Sequence, residues 1–319
     1  MTVGERTRRV GLYGVIALLV AVASSAFLAY DTGSPTEVST AAADARVHAA
    51  PPAAATSSPE PTTTEPPTTT TTEPAPQVDL GAGLPSAEAV AGDSVNLGVA
   101  ILDLQTGEVA GSNGDKQFYS ASLSKLILVV DMLDRRAENG LELSDDDLQL
   151  VDRALTYSDD EAMDALWTRF DGMAAIDRVA ARLGMTGTHS PDDPSQWGEV
   201  VITADDMVKL YQYVLSGKMA ETDRDLIVDA LSGAQEEAAD GFDQFFGLLD
   251  ANARGSRSAY AKQGWMYYLP SDVYLHSAGI VDNRYAVAVL TIQTGVSTDA
   301  AKDQVAKIVS AALTPLPAT

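Results

Sequence analysis

Apolar residues fall along this chain in three regimes. The first is an uncharged, mostly apolar run from Val10 to Tyr30, preceded by the net-basic MTVGERTRR. A basic flank before an apolar core predicts an export signal whose positive end stays in the cytoplasm. The run is about long enough to span a bilayer as an uncleaved anchor. Ala21-Val22-Ala23 offers a small-residue site at which it would instead be cleaved as a signal peptide. Residues 1–30 are therefore read as signal anchor or signal peptide. In the second regime, residues 31–82, periodicity disappears and Ala, Pro, Thr and Ser dominate, most densely in PTTTEPPTTTTTEPAP. Such a tract buries too little apolar surface to fold, and its prolines keep it extended, so it predicts a spacer.

The third regime, residues 83–319, is periodic. Alternation predicts strands at LGVAILDL (Leu97–Leu104) and, after the turn Gln105-Thr106-Gly107, at EVAGS. Helical spacing predicts Leu123–Glu138, closed by Asn139-Gly140, then Leu148–Leu155, Glu161–Phe170 and Ala174–Leu183. Ala204–Leu215 follows, with Thr203 as N-cap. Three strands come next, Ala259–Trp265, Val273–Val281 and Tyr285–Ile292, the last two joined by the tight Asp282-Asn283 turn. Thr298–Leu313 closes as a helix. Strands at both ends around a helical middle predict an α+β domain. Its antiparallel sheet is assembled from both chain ends and flanked by helices.

Charge and composition narrow the chemistry. Lys and Arg number 21 against 45 Asp and Glu, a net charge of −24, which argues against nucleic acid or anionic lipid as partner. There is no cysteine, which excludes disulfides, a thiol nucleophile and a lipidated Cys. Of the three histidines (His48, His189, His276), His48 lies in the spacer, so a histidine-rich metal site is not expected. No Gly-x-Ser-x-Gly elbow occurs. No metal and no cofactor is expected.

One short motif carries chemistry. Ser122 precedes Lys125 by three residues in FYSASLSKLILVV, at the start of an apolar helix, and no other Lys has a Ser at that offset. Residues i and i+3 share a helix face, so the amine can reach the hydroxyl and, when neutral, serve as its base. Two further segments follow in order: Ser158-Asp159-Asp160 between helices, and Lys262-Gln263-Gly264-Trp265 on the first late strand.

In this order the chain resembles the penicillin-recognising serine enzymes, class A β-lactamases and DD-peptidases, whose signatures are S-x-x-K, S-D-N and K-T-G. It is most similar to the actinobacterial exported β-lactamase-like serine hydrolases. Ala121-Ser122-Leu123-Ser124-Lys125, Ser158-Asp159-Asp160-Glu161-Ala162, Trp197-Gly198 with Thr203, Lys262-Gln263-Gly264-Trp265 and Ser277-Ala278-Gly279 carry the likeness. The resemblance implies a β-lactamase/transpeptidase-like fold with Ser122 as nucleophile, Lys125 as base and Ser158 as proton relay. It implies substrate contacts at Asp160, Lys262, Gln263, Gly264 and Trp265, with Lys262 facing a substrate carboxylate and the N–H groups of Ser122 and Trp265 forming an oxyanion hole. The implied substrate is a peptidoglycan-derived peptide, an ester or a β-lactam. The implied place is outside the cytoplasm, with membrane contact through the N-terminal segment and the domain a monomer.

Departures from the pattern set a second expectation. Asp160 stands where the family has Asn, and an ionised Asp cannot donate a hydrogen bond. It also favours the charged form of Lys125. Gln263 stands where the family has Thr or Ser. Between Ser190 and Thr203, where class A enzymes carry their deacylating Glu, only Asp192, Asp193 and Glu199 are acidic, and they read as a solvated loop. Only 36 residues separate Ser122 from Ser158, so the helical subdomain is expected to be trimmed. A catalytically impaired binding or scaffolding protein is the alternative function.

Overall fold

Strand β1 (Val95–Asp103) reads VNLGVAILD and is buried along nearly its whole length. A strand so uniformly apolar must be covered on both faces, and it is. In the computed structural model, residues 78–317 are described. The expected anchor, and all but the end of the expected spacer, lie outside them. Leu80, assigned to the spacer by composition, is buried with Leu84 in the core, so ordered packing begins before residue 83.

The sheet is five-stranded, in the order β2-β1-β7-β6-β5, and antiparallel throughout. Its strands are β1, β2 (Val109–Ser112), β5 (Ala259–Tyr268), β6 (Asp272–Val281) and β7 (Tyr285–Thr294). Asp282 and Asn283 both have positive φ, the conformation a two-residue hairpin needs. A short second sheet pairs β3 (Phe118–Tyr119) with β4 (Val201–Ile202). This is the expected α+β architecture, with first and last strands side by side.

One face of the sheet is covered by α1 (Leu84–Ala91) and α9 (Thr298–Leu313), whose apolar sides join Val99, Ile101, Val287 and Val289 in one core. The other face is covered by the helical region: α2 (Ser124–Asn139), α3 (Asp145–Thr156), α4 (Asp160–Arg169), α5 (Gly172–Leu183), α6 (Ala204–Leu215) and α7 (Glu221–Ser232). A single-turn α8 (Ala251–Arg254) precedes β5. Helix α2 runs through the middle of this layer and is buried continuously from Ser124 to Asp134. It stops at Gly140, whose φ of 68° is the left-handed cap that glycine takes without strain. The buried carboxylates of α2 are paired: Asp131 receives both Nε and Nη2 of Arg178, at 2.8 and 2.7 Å.

Caps account for the helix starts. Thr203 caps α6 as expected, accepting from the Asp206 N–H. Ser144 and Asp147 form a reciprocal capping box on α3. At α4 the cap is Asp159, which accepts from the Ala162 N–H and is held by Arg153 Nε at 2.8 Å. Ser158 is thereby left free of capping duty.

Candidate active site

The segment entering α2 is fixed from three sides. Ser120 donates its N–H to Val200 O at 2.7 Å, β3 pairs with β4, and His276 Nε2 lies 2.9 Å from Tyr119 O. Ala121 then takes φ of 47°, a left-handed conformation that costs a non-glycine residue on the order of 1 kcal/mol or more. This kink turns Ser122 onto a single 3₁₀ turn, Ala121–Leu123, immediately before the helix. Strand β5 passes beside it. A Cβ at Gly264 would stand 2.9 Å from Ser120 O and 3.4 Å from Ser122 N, so only glycine allows the strand this close.

Lys125 is the second residue of α2, fully buried. Its Nζ is 2.9 Å from Ser122 Oγ, 2.7 Å from Ser158 O, 3.3 Å from Ser158 Oγ and 2.6 Å from Asp160 Oδ1. An ammonium has three donors for these four oxygens. A neutral amine has two donors and a lone pair, and the Ser122 hydroxyl can donate to that lone pair. Burial pulls the Lys125 pKa below the ordinary lysine value, while the Asp160 carboxylate opposes this without cancelling it. The Trp197 ring closes one side, its centroid 4.7 Å from Nζ. The indole is itself held by Asp164, which accepts from its N–H at 2.6 Å.

Ser158 adopts φ of 52° and turns both its carbonyl and its hydroxyl inward. Lys262 Nζ reaches that hydroxyl at 2.8 Å and the Gln263 carbonyl at 3.0 Å. Lys262 is also fully buried, and burial, followed by the nearby Lys125, holds its pKa well below the usual range. The result is a continuous chain of polar groups from Ser122 through Lys125 and Ser158 to Lys262.

Above these groups opens a cleft of about 490 Å³, lined by Ser122, Asp160, Trp197, Asp240, Phe242 and Trp265 among others. Asp160 and Trp265 line the cleft, and Gly264 borders Ser122. Lys262 and Gln263, both expected to contact substrate, are buried and are not among the residues lining the cleft. The Lys262 amine is used behind the cleft on Ser158. Alternation along β5 sends the Gln263 side chain to the opposite face, where its amide donates to the carbonyls of Phe246 and Gln244. Glu199, one of three candidate acids in the 190–203 stretch, accepts from the Tyr268 hydroxyl at 3.1 Å, while Trp197 occupies the side of Lys125. Asp240 and Phe242 were not singled out in the sequence. They belong to the stretch between α7 and α8, which carries no motif. Phe242 stacks on Trp265 with centroids 4.5 Å apart, and Asp240 accepts from the Trp265 indole N–H at 3.0 Å.

The sequence profile of the beta-lactamase enzyme family matches residues 86–146 and 146–314. The chain belongs to the beta-lactamase enzyme family. Sequence similarity is also found to "Putative lipoprotein LppW" of Mycobacterium tuberculosis and of Mycobacterium bovis. Each is 31% identical over 213 residues, covering 65% of this chain and 67% of the relative. Among solved structures, a beta-lactamase from Chitinophaga pinensis superposes with a TM-score of 0.60 at 16% identity, over 72% of this chain and 97% of that one. A beta-lactamase from Sphaerobacter thermophilus gives 0.58 at 21% identity, over 74% and 97%. These likenesses establish the fold of this family member.

Proposed function

We propose that this beta-lactamase-family chain is an exported serine acyl hydrolase with Ser122 as nucleophile. The observation that carries the reading is the buried Lys125 amine 2.9 Å from Ser122 Oγ, with burial favouring its neutral form. In the reaction, Lys125 takes the Ser122 proton as Oγ bonds to the substrate carbonyl carbon. Backbone N–H groups of Ser122 and Trp265 receive the oxyanion. Collapse breaks the bond to the leaving group, which takes a proton from Ser158; Ser158 regains one from the protonated Lys125, whose Nζ is 3.3 Å from its Oγ, and Lys262 supports that hydroxyl. Water then releases the acid from acyl-Ser122. The Trp197 indole against Lys125, and the engagement of Glu199 by Tyr268, support slow release, so rapid β-lactam turnover is not expected.

Export is supported by the basic start and the apolar run from Val10 to Tyr30. The named lipoprotein relatives also suggest the cell envelope, but this chain has no cysteine to carry a thioether lipid. Among the described residues no helix is long and apolar enough to cross a membrane.

The test is intact-protein mass spectrometry after exposure to a penicillin and to an activated ester, beside Ser122→Ala. An adduct in the wild type alone supports acylation. Equal labelling of both proteins rejects Ser122. A second reading, a binding domain on the same fold, is favoured by the Asp160–Lys125 ion pair at 2.6 Å, which opposes the neutral form of that amine. It predicts no adduct and no hydrolysis with either probe.

A further inference from the structure

The charged side chains lining the cleft are Asp160 and Asp240, and no basic side chain lines it. The two differ in how their charge is used. Asp160 is taken up by the Lys125 amine, 2.6 Å away and 2.9 Å from Ser122 Oγ. Asp240 accepts from two neutral donors, the Phe242 N–H at 3.0 Å and the Trp265 indole at 3.0 Å. Among the described residues it has no salt-bridge partner. Hydrogen bonds from neutral donors fix the carboxylate in place without cancelling its charge.

The surroundings suit a cation on an apolar stem. Trp265, Phe242, Trp197 and Tyr267 form much of the wall, and aromatic faces attract a cation that a neighbouring carboxylate also attracts. Groups able to bind an anion are withdrawn. Lys262 is fully buried behind Ser158, Gln263 faces the other side of β5, and Lys302, which lies over Phe242, is paired with Asp243 at 3.1 Å. The net charge of −24 adds a long-range attraction for cations.

From these positions we infer that Asp240 makes this cleft select acyl substrates bearing an ammonium group on a short apolar stem, and disfavour those bearing a carboxylate. For acylation this rests on the Ser122 reading above; for binding it does not.

The test uses the full chain and three p-nitrophenyl esters of equal length, ending in a trimethylammonium, a tert-butyl or a carboxylate group. Acylation of Ser122 is followed by intact mass. The expected order is ammonium, then tert-butyl, then carboxylate, with roughly tenfold between the first two, the size of one partly desolvated ion pair. Asp240→Asn, which keeps an oxygen to accept from Trp265, should bring ammonium and tert-butyl to equal rates. In parallel, tryptophan fluorescence follows binding of the corresponding trimethylammonium amide to Ser122→Ala and to Ser122→Ala/Asp240→Asn. Saturable binding in the first that weakens at least fivefold in the second supports the inference, even if no ester acylates Ser122 and the hydrolase reading falls. Equal binding of ammonium and carboxylate amides, or an unchanged order of esters in Asp240→Asn, overturns it.

Discussion

The Lys125 amine lies 2.6 Å from Asp160 Oδ1 and 2.9 Å from Ser122 Oγ. One amine is therefore shared by the proposed nucleophile, which needs it neutral, and a carboxylate that favours it charged. Burial and Asp160 push its pKa in opposite directions, burial more strongly.

Asp160→Asn should release that tension. Without the carboxylate the charged amine loses a stabilising partner, so the Lys125 pKa falls further. Because the base acts when neutral, the rising limb of the acylation rate against pH should move to lower pH, with faster acylation at neutral pH. The rate of ester labelling across pH checks this. A limb that stays in place would separate Asp160 from the ionisation of Lys125.

Ser158→Ala should discriminate by leaving group. The Ser158 hydroxyl, 2.8 Å from Lys262 Nζ, is the proposed proton donor to the departing atom. A p-nitrophenolate departs without a proton, whereas an amide nitrogen does not. Acylation by β-lactams or amides should fall by about 10²-fold, and by the nitrophenyl ester by much less. Equal losses in rapid-mix labelling would make Ser158 a structural residue only.

His276 should make the domain acid-sensitive in a defined window. It is fully buried on β6, with Nδ1 accepting from the Thr291 N–H at 3.1 Å and Nε2 facing Tyr119 O. Burial lowers its pKa from 6.5 to about 4. The unfolded chain binds the proton more readily, so its contribution is present above about pH 6.5 and is lost as pH falls toward 4. That contribution is on the order of 3 kcal/mol. Denaturant melts at pH 7 and 4.5 should show the loss in the wild type and a smaller one in His276→Gln. Since Tyr119 leads directly to the nucleophile turn, ester labelling should decline in the same window.

Tyr211→Phe should cost stability. Its hydroxyl, on α6, donates to Ala278 O at 2.5 Å and accepts from the Lys262 N–H at 3.2 Å, tying the helical layer to β5 and β6. Stranding these buried groups costs about 2 kcal/mol, which lowers Tm by roughly 4–8 °C in a domain of this size. Calorimetry measures it.

Much of this fold was legible because its pattern is locally strong. Helices α6 and α9 start and stop where capping and periodicity predicted, and the β6–β7 hairpin turns at Asp282-Asn283. Helices α1 and α7 were not foreseen. The first is short, with few large apolar residues, and the second, ETDRDLIVDALS, hides its inward face behind acidic residues, including the buried Asp223 that pairs with Arg136. At the site, Ser122, Lys125, Ser158 and Lys262 converge as their motifs implied. Side-chain direction was harder to read: a sheet buried on both faces hides which way Gln263 points, although its period-two offset from Lys262 and Gly264 holds the answer. Asp240 and Phe242 escaped because only tertiary folding brings the loop after α7 to Ser122.

The pairing of β1 with β7, from Val95–Gln293 to Asp103–Tyr285, has a temporal consequence. Ser122 leaves the ribosome early, but β1 waits for the last strand of the chain, and Lys262 comes only with β5, the strand against Ser122. Contacts so distant in sequence form late and slowly. Until they form, Ser122 is an ordinary serine on an unfinished chain. On the proposed reading, a protein built this way acquires its reactive group last and carries no armed nucleophile during synthesis or export.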